Sequence, residues 1–250
     1  VKNKFDDNEI GIFWSGGKDS TAMLHLIGET CGEIPWQVVY VNTGYHFRET
    51  HNFISKLSDT WQFDVCHILA ESPRTPNNST VKECCYSRKT YPIKATIEEF
   101  EFKGVFVAIR RDEHGVRNKE RFISPRDQGL KWNIKEQDTE LSGWNIYYAD
   151  YGDQCHHFRI HPLLHWNEVD VWNYIRDFEI PVNQLYFSKN GKRYRSLGCK
   201  TCTVPIESNA VTIDDMIKEI KSDRWGERDG RWSKKDMTII YEHMRALGYF

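Results

Sequence analysis

The sequence predicts a doubly wound α/β fold: a mostly parallel sheet with helices on both faces, followed by a loop-rich and helical C-terminal extension. Three observations carry that prediction. Continuous apolar runs of strand length alternate with helix-patterned stretches through the first half of the chain. The first run leads straight into a Gly-Gly turn and then a helix-patterned segment. At 250 residues the chain is also long enough to bury one sizeable core. Residues 1–180 read as the α/β domain. Residues 181–250 read as the extension, carrying a Cys-x-x-Cys and segments that face a partner or substrate.

Taken in order, Ile10 to Trp14 reads as the first strand and Thr21 to Ile27 as helical. Trp36 to Asn42 is a second apolar run, suited to a central parallel strand covered on both faces, and Thr43-Gly44 closes it. Arg48 to Trp61 is helical, with Phe53, Ile54 and Leu57 on one side; Gln62 to Asp64 breaks the pattern, and Val65 to Leu69 reads as the third strand. Ala70 to Thr80, with two prolines and two asparagines, reads as a mobile polar loop. Lys82 to Lys89 enters a helix that Pro92 interrupts or restarts, and Val105 to Ile109 is a strand with Arg110-Arg111-Asp112-Glu113 at its carboxyl end. Trp132 to Gln154 lacks periodicity and reads as a surface excursion, a lid or partner site. Phe158 to Leu164 is a further strand. Asn167, with Asp170 three residues on, caps a helix through Ile175. A helix from about Ile213 to Ile220 and a last helix ending at Phe250 complete the chain, without internal repeats.

The block Ser15-Gly16-Gly17-Lys18-Asp19-Ser20 carries the strongest chemistry. Adjacent glycines let backbone N–H groups approach an anion, the following helix directs its partial positive end to the same point, and Lys18 and Ser20 add a charge and a hydroxyl. It is not a Walker A loop: Ile12 stands five positions before Gly17, and Asp19 follows the lysine. In an open parallel sheet such a loop lies with the ligand, at the carboxyl ends of the strands. Arg110, Arg111, Arg117, Lys119, Arg121 and Arg126 lie near the same edge and suit an anionic substrate.

Charge and cysteine count bound the setting. With 34 Lys+Arg against 36 Asp+Glu, the net charge of −2 gives no global field for nucleic acid, although a local basic patch could still contact it. No apolar stretch approaches membrane-spanning length and the first residues have no secretory character, so a cytoplasmic protein is expected, with self-association left open. Seven cysteines argue for free thiols or metal ligands over a disulfide framework. Cys84-Cys85 and Cys199-x-x-Cys202 together make four thiols in two close pairs, enough for a tetrathiolate zinc or a [4Fe–4S] cluster; spacing does not choose between them. Cys31, Cys66 and Cys155 stand alone and read as core or surface thiols.

The glycine-rich block resembles the PP-loop of ATP pyrophosphatases, which implies that ATP, carried with Mg²⁺, is cleaved between its α and β phosphates. Cys84-Cys85-x-x-Arg88-Lys89 with Gly198-Cys199-x-x-Cys202-Thr203 resembles the iron–sulfur signature of adenylyl-sulfate reductases in the phosphoadenosine-phosphosulfate reductase family. That likeness implies a [4Fe–4S] cluster on Cys84, Cys85, Cys199 and Cys202 rather than zinc. The remaining chain is similar, nearly end to end, to the small subunit of bacterial sulfate adenylyltransferase. The strings that carry this are Asn42-Thr43-Gly44 with Phe47-Arg48-Glu49, Arg110 to Glu113, Lys119-Glu120-Arg121, Pro125-Arg126-Asp127, His161-Pro162-Leu163 with Trp166, Glu207 to Ala210, and Gly248-Tyr249-Phe250. Two departures stand out: no cysteine follows Cys202 to serve as a reductase nucleophile, and Asn42 replaces the aspartate usual at that strand end.

These resemblances assign pyrophosphate to Ser15, Gly16, Gly17, Lys18, Asp19 and Ser20, and adenine and ribose to Asn42, Thr43 and Gly44. Arg110, Arg111 and Arg117 take the acceptor oxyanion or α-phosphate, and Lys18, Asp19, Arg110 and Arg111 form the catalytic set. Three readings follow. The first, preferred on the four cysteines and the missing nucleophile, is the sulfur-incorporation step of DNA phosphorothioate modification, with a cysteine desulfurase partner. The second is sulfate activation to adenylyl sulfate with a GTPase partner. The third is a nucleotide-sensing scaffold without turnover.

Overall fold

The computed structural model describes residues 5–70, 80–113, 117, 120–132, 155–222 and 227. Its centre is a six-stranded sheet in the order β3-β2-β1-β4-β6-β5. The strands are β1 (Ile10–Phe13), β2 (Gln37–Asn42), β3 (Val65–Leu69), β4 (Gly104–Val107), β5 (Ile123–Asp127) and β6 (Cys155–Ile160). All neighbours pair in parallel except β5, which runs antiparallel to β6 at the edge. The helices are α1 (Lys18–Cys31), α2 (Arg48–Trp61), α3 (Val81–Cys85), α4 (Tyr91–Glu99), α5 (Glu168–Asp177) and α6 (Ile213–Ser222). The doubly wound α/β fold expected from the sequence is the fold observed.

Alternation along β1 builds both cores. Ile10 and Ile12 face a layer that includes Met23 and Leu24 of α1, Ile54 and Leu57 of α2, and Trp172 and Ile175 of α5. Phe13 faces the other layer with Val39, Ile93, Ile97, Phe102 and Val105. A Cβ on Gly11 would lie 2.7 Å from the Phe102 ring, so this position needs glycine to admit the aromatic. The chain winds from β1 outward to β2 and β3, then returns to the other side of β1 with β4. The reversal falls between β1 and β4, and a crevice opens there at the carboxyl ends of the strands.

The observed strands differ from expectation in instructive ways. β5 contains Pro125 and reads as a polar, cation-bearing stretch; a strand with proline belongs at a sheet edge, and β5 sits there opposite Phe158. β6 begins and ends earlier than the Phe158 to Leu164 run, because the chain leaves the ladder after Ile160, just before His161-Pro162. Pro92 does not break its helix. A π-turn over Tyr86–Thr90 joins α3 to α4, with the Tyr91 N–H reaching back to the Tyr86 carbonyl, and Pro92 falls in the first turn of α4, where its missing N–H is tolerated. Asn167 caps α5 as expected, accepting from the Asp170 N–H at 3.0 Å while Asp170 accepts from the Asn167 N–H at 2.8 Å.

Beyond residue 181 come a short 3₁₀ turn at Gln184–Tyr186, the small hairpin of β7 (Lys192–Arg193) and β8 (Ile206–Glu207), and α6. Tyr186, Ala210, Met216 and Ile217 from this segment join the first core. The mobile loop, the surface excursion after Trp132 and the final helix expected from the sequence fall, apart from their first or last residues, outside the described residues. Among the described residues no helix is long and apolar enough to cross a membrane.

Candidate functional site

β1 delivers Ser15 and Gly16 into the crevice, and Gly17 caps α1, whose first residue is Lys18. Gly16 has φ +72°, and a Cβ there would stand 3.1 Å from Ile54 and 3.3 Å from Thr50 of α2. The loop is therefore pressed against α2 in a conformation that favours glycine. Gly16→Ala is expected to cost about 1–3 kcal/mol in urea unfolding, since it meets both the left-handed backbone and Ile54. Ser15 and Ser20 close the loop on itself: their hydroxyls are 3.0 Å apart, and the Ser15 N–H donates to Ser20 Oγ at 3.2 Å.

The first N–H of α1 has a partner the sequence did not announce. Tyr186, buried and stacked edge-on against Trp172, accepts from the Lys18 N–H at 2.9 Å. Its 3₁₀ turn is pinned by Asn183, which donates to Thr50 Oγ1 at 3.2 Å. The loop is thus held from below by α2 and from the side by the segment after residue 181.

Charge is concentrated at the same point. Lys18 is 1% exposed; its ammonium donates to Asp19 at 3.1 Å and pairs with Glu227. Arg110, fully buried, pairs with Asp19 and Glu227 and donates from Nε to Asp112 at 2.9 Å. Burial alone would raise the Glu227 carboxyl, but Arg110 and Lys18 hold it well below the usual carboxylate range. Asp112 also accepts from the Glu168 N–H at the start of α5, at 2.8 Å. Glu168, bound through both oxygens to Arg195, is raised by burial and then by the nearby Glu227 charge. The sequence offered no sign of Glu227, which meets Lys18 across 209 positions.

A cleft of about 210 Å³ runs from this loop along the sheet edge. Ser15, Gly17, Lys18, Asp19 and Ser20 line one end. Phe13, Val39, Val41, Ile93, Val107 and Ile109 form an apolar stretch, and Thr43, His46, Lys89, Glu113, Arg117, Ser196 and Gly198 also line it. A polar cradle beside an apolar slot is the form of a nucleotide site.

Of the residues singled out in the sequence, Thr43 lies in the cleft; Asn42 and Gly44 shape the turn beside it, the Asn42 side-chain oxygen accepting from the Gly44 N–H at 2.9 Å. Arg117 lines the cleft and pairs with Glu113. Arg110 points into the carboxylate cluster behind the loop. Arg111 contacts His165 at 3.1 Å and donates to the Glu120 carbonyl at 2.8 Å, away from the cleft lining. Arg126 forms a buried pair with Glu120, and Lys119 lies outside the described residues. Sequence reasoning missed Tyr186, His46 and the apolar wall; only the strand patterning hinted at the last.

The cysteine segments converge beside the nucleotide end. Burial raises the Cys85 thiol, Lys89 opposes that, and the neighbouring Cys202, Cys199 and Cys84 raise it further. Cys199 Sγ lies 3.3 Å from Thr43 Oγ1, and the Lys200 N–H donates to the Tyr45 carbonyl at 2.7 Å. Arg88 donates to the Thr43 carbonyl at 2.8 Å and lies 4.3 Å over the Tyr45 ring. Among the described residues no three Cys, His, Asp or Glu side chains stand at ligating distances. The four thiols are a converging donor set, not a closed cage.

A family model for the phosphoadenosine phosphosulfate reductase domain matches residues 9–205. "Sulfate adenylyltransferase subunit 2" of Psychromonas ingrahamii is 31% identical, with 98% of this chain and 91% of that protein covered. The protein of the same name from Pseudomonas entomophila is 32% identical over 98% of this chain and 92% of its own length. Among solved structures, Candida glabrata FMN adenylyltransferase in complex with ATP superposes with a TM-score of 0.58 at 19% identity, covering 93% of this chain and 82% of that one. The phosphoadenylyl-sulfate reductase of Candida auris, as a phosphate complex, gives 0.55 at 16% identity, covering 82% and 86%. The two structures share the fold, while the family match and the near full-length relatives go further: the chain belongs to the phosphoadenosine phosphosulfate reductase and sulfate adenylyltransferase small-subunit family.

Proposed function

We propose that this protein is an adenylyltransferase that cleaves ATP between the α and β phosphates and passes the adenylyl group to sulfate, working with a GTPase-type partner subunit in the cytoplasm. The observation that carries the reading is the cradle at Ser15 to Ser20, closed over the buried Lys18 ammonium and opening onto an apolar slot. The relatives named sulfate adenylyltransferase subunit 2 favour sulfate as acceptor over a DNA phosphate.

In this reading the pyrophosphate lies on the Ser15–Ser20 backbone and hydroxyls. Lys18 neutralises the charge that develops as pyrophosphate leaves. Asp19, beside Lys18 in the cleft, is the carboxylate placed to face Mg²⁺ carried on the nucleotide, which would screen the phosphate charge. The base packs against Val39, Val41, Ile93 and Ile109, with Thr43 at the ribose. Arg117 and Lys89 are the cleft cations for the acceptor oxyanion, while Arg110 positions Asp19 from behind. Residues 1–180 then carry the nucleotide chemistry, and 181–250 form an extension that reaches back through Tyr186 to hold the loop. The test is incubation with ATP and sulfate, with and without the GTPase-type subunit. Adenylyl sulfate that depends on this chain is expected; its absence with the complete pair contradicts the assignment.

The convergence of thiols favours a second reading, sulfur insertion with a cysteine desulfurase, including the DNA phosphorothioate step. All-thiolate donors fit a [4Fe–4S] cluster, held by Cys84, Cys85, Cys199 and Cys202, and such a group would supply one-electron or sulfur chemistry beside the ribose turn. Anaerobic purification is expected to give a brown protein with iron and sulfide in equal amounts, and Cys85→Ser to lose both. A colourless protein holding zinc would contradict the cluster. Pyrophosphate release stimulated by a desulfurase, without adenylyl sulfate formation, would favour the second reading over the first.

A further inference from the structure

At the C-terminal end of β2, three aromatic side chains form a chain that ends in the cleft. Tyr40, fully buried, has its hydroxyl 2.5 Å from Nδ1 of His46 and 3.5 Å from Nδ1 of His51. The rings stay together by packing as well: Tyr40 lies 5.4 Å from His46 and edge-on to His51 at 5.9 Å. His46 precedes the cap of α2 and lines the cleft together with Thr43 and with Thr50, which abuts the phosphate loop at Gly16. On the ATP reading the ribose lies at Thr43 and the phosphates at Ser15 to Ser20, and His46 lines the same cleft as both.

The Tyr40 hydroxyl engages His46 at Nδ1, which leaves Nε2 as the ring nitrogen not taken by Tyr40. With the phenol O–H donating to His46, the same oxygen is left to accept from Nδ1–H of His51. A neutral imidazole that accepts at Nδ1 carries its proton at Nε2. We infer that His46 is a neutral N–H donor to the α-phosphate oxygens of the bound nucleotide, with Tyr40 and His51 as residues that fix its tautomer. This rests on the ATP reading above. No proton is transferred: the Nε2–H bond strengthens as negative charge grows on those oxygens during adenylyl transfer.

The surroundings keep the ring neutral. Burial first, then Lys89 on the π-turn and His51 on α2, lower His46 to about 3. Burial and then Cys199 raise the Tyr40 hydroxyl well above its ordinary value, so it stays a donor. His51 is itself lowered by burial and by His67 on β3.

Glutamine and asparagine separate the two ring nitrogens, because the Gln amide reaches the Nε2 position and the Asn amide reaches only Nδ1. His46→Asn is expected to lower kcat for pyrophosphate release by about 10- to 100-fold with the KM for ATP changed less than about threefold; His46→Gln is expected to stay within about threefold of wild type in kcat. Equal losses in the two variants, or none in either, would overturn the role. A second readout is independent of turnover. ¹⁵N-histidine spectra of the full chain are expected to show His46 as the Nε2–H tautomer from pH 6 to 8, with its Nε2 signal shifted when AMPCPP is added and Tyr40→Phe mixing the tautomers. An unshifted signal in an AMPCPP-saturated sample overturns this inference alone. Failure of AMPCPP to bind at all overturns the ATP reading, and this inference with it.

Discussion

Lys18→Met is expected to lower pyrophosphate release from ATP by about 10²- to 10³-fold while the protein remains folded. The ammonium sits in the first turn of α1, where backbone N–H groups and the helix dipole already favour an anion, and it is the loop's own cation. Methionine keeps most of the buried volume, so the loss isolates the charge. Glu227 retains Arg110 when Lys18 is removed, so the carboxylate is not stranded. Pyrophosphate release by the variant within about threefold of wild type would assign the loop a structural or sensing role and revive the scaffold reading.

Arg110→Met is expected to have the largest effect on stability, about 3–5 kcal/mol in urea unfolding at pH 7. The guanidinium has no exposed surface and serves three carboxylates: Asp19, Asp112 and Glu227. Methionine fills much of the space but leaves Glu227 buried with Lys18 alone. The cost should shrink in acid, and the sign follows from linkage. In the wild type the Glu227 carboxyl is depressed, so its contribution is complete above the ordinary carboxylate value near 4.5 and fades as pH falls through the lower folded value. Without Arg110 the carboxyl titrates higher and is neutralised sooner, which removes the penalty of a poorly paired buried charge. The gap between variant and wild type is therefore expected to narrow from pH 7 to pH 4. A gap that widens in acid would show that Arg110 acts through packing and not through Glu227.

The parts legible in the sequence were those whose signal is local. The Ser15–Ser20 block announces strand, turn and helix within a few residues, and the apolar runs at β1 and β2 fix the middle of the sheet because these parallel strands are covered on both faces, while β3 is a half-exposed edge strand. The two cysteine pairs were grouped by their likeness to an iron–sulfur signature and not by a local signal; Cys199 and Cys202 do lie near Cys85. The rest depended on contacts between distant segments. Arg110 read as one of several cations suited to an acceptor, yet its direction is set by Asp112 two residues on and by Glu227 across 117 positions. Tyr186 reaches Lys18 across 168 positions, from a segment whose sequence suggested only loop. His46 was hidden inside a string read for its neighbours Asn42, Thr43 and Gly44; its environment comes from Tyr40 on the adjoining strand and Lys89 on the π-turn. β5 was missed because a proline-bearing polar edge strand has no apolar run to reveal it.

The site also divides its labour. The buried Arg110, Glu168 and Arg195, linked through the exposed Asp112, hold the crevice from behind, and Lys18, Thr43, His46 and Arg117 present themselves to the cleft. Effects of mutation should follow the same division, with stability moved by the first set and turnover by the second.

In the proposed reaction the loop at Ser15 to Ser20 directs cleavage between the α and β phosphates. Incubation with ATP labelled at the γ-phosphate, in the presence of acceptor and partner and with pyrophosphatase excluded, distinguishes this from cleavage at the γ-phosphate. All released label is expected to appear as pyrophosphate; label appearing as inorganic phosphate would contradict it.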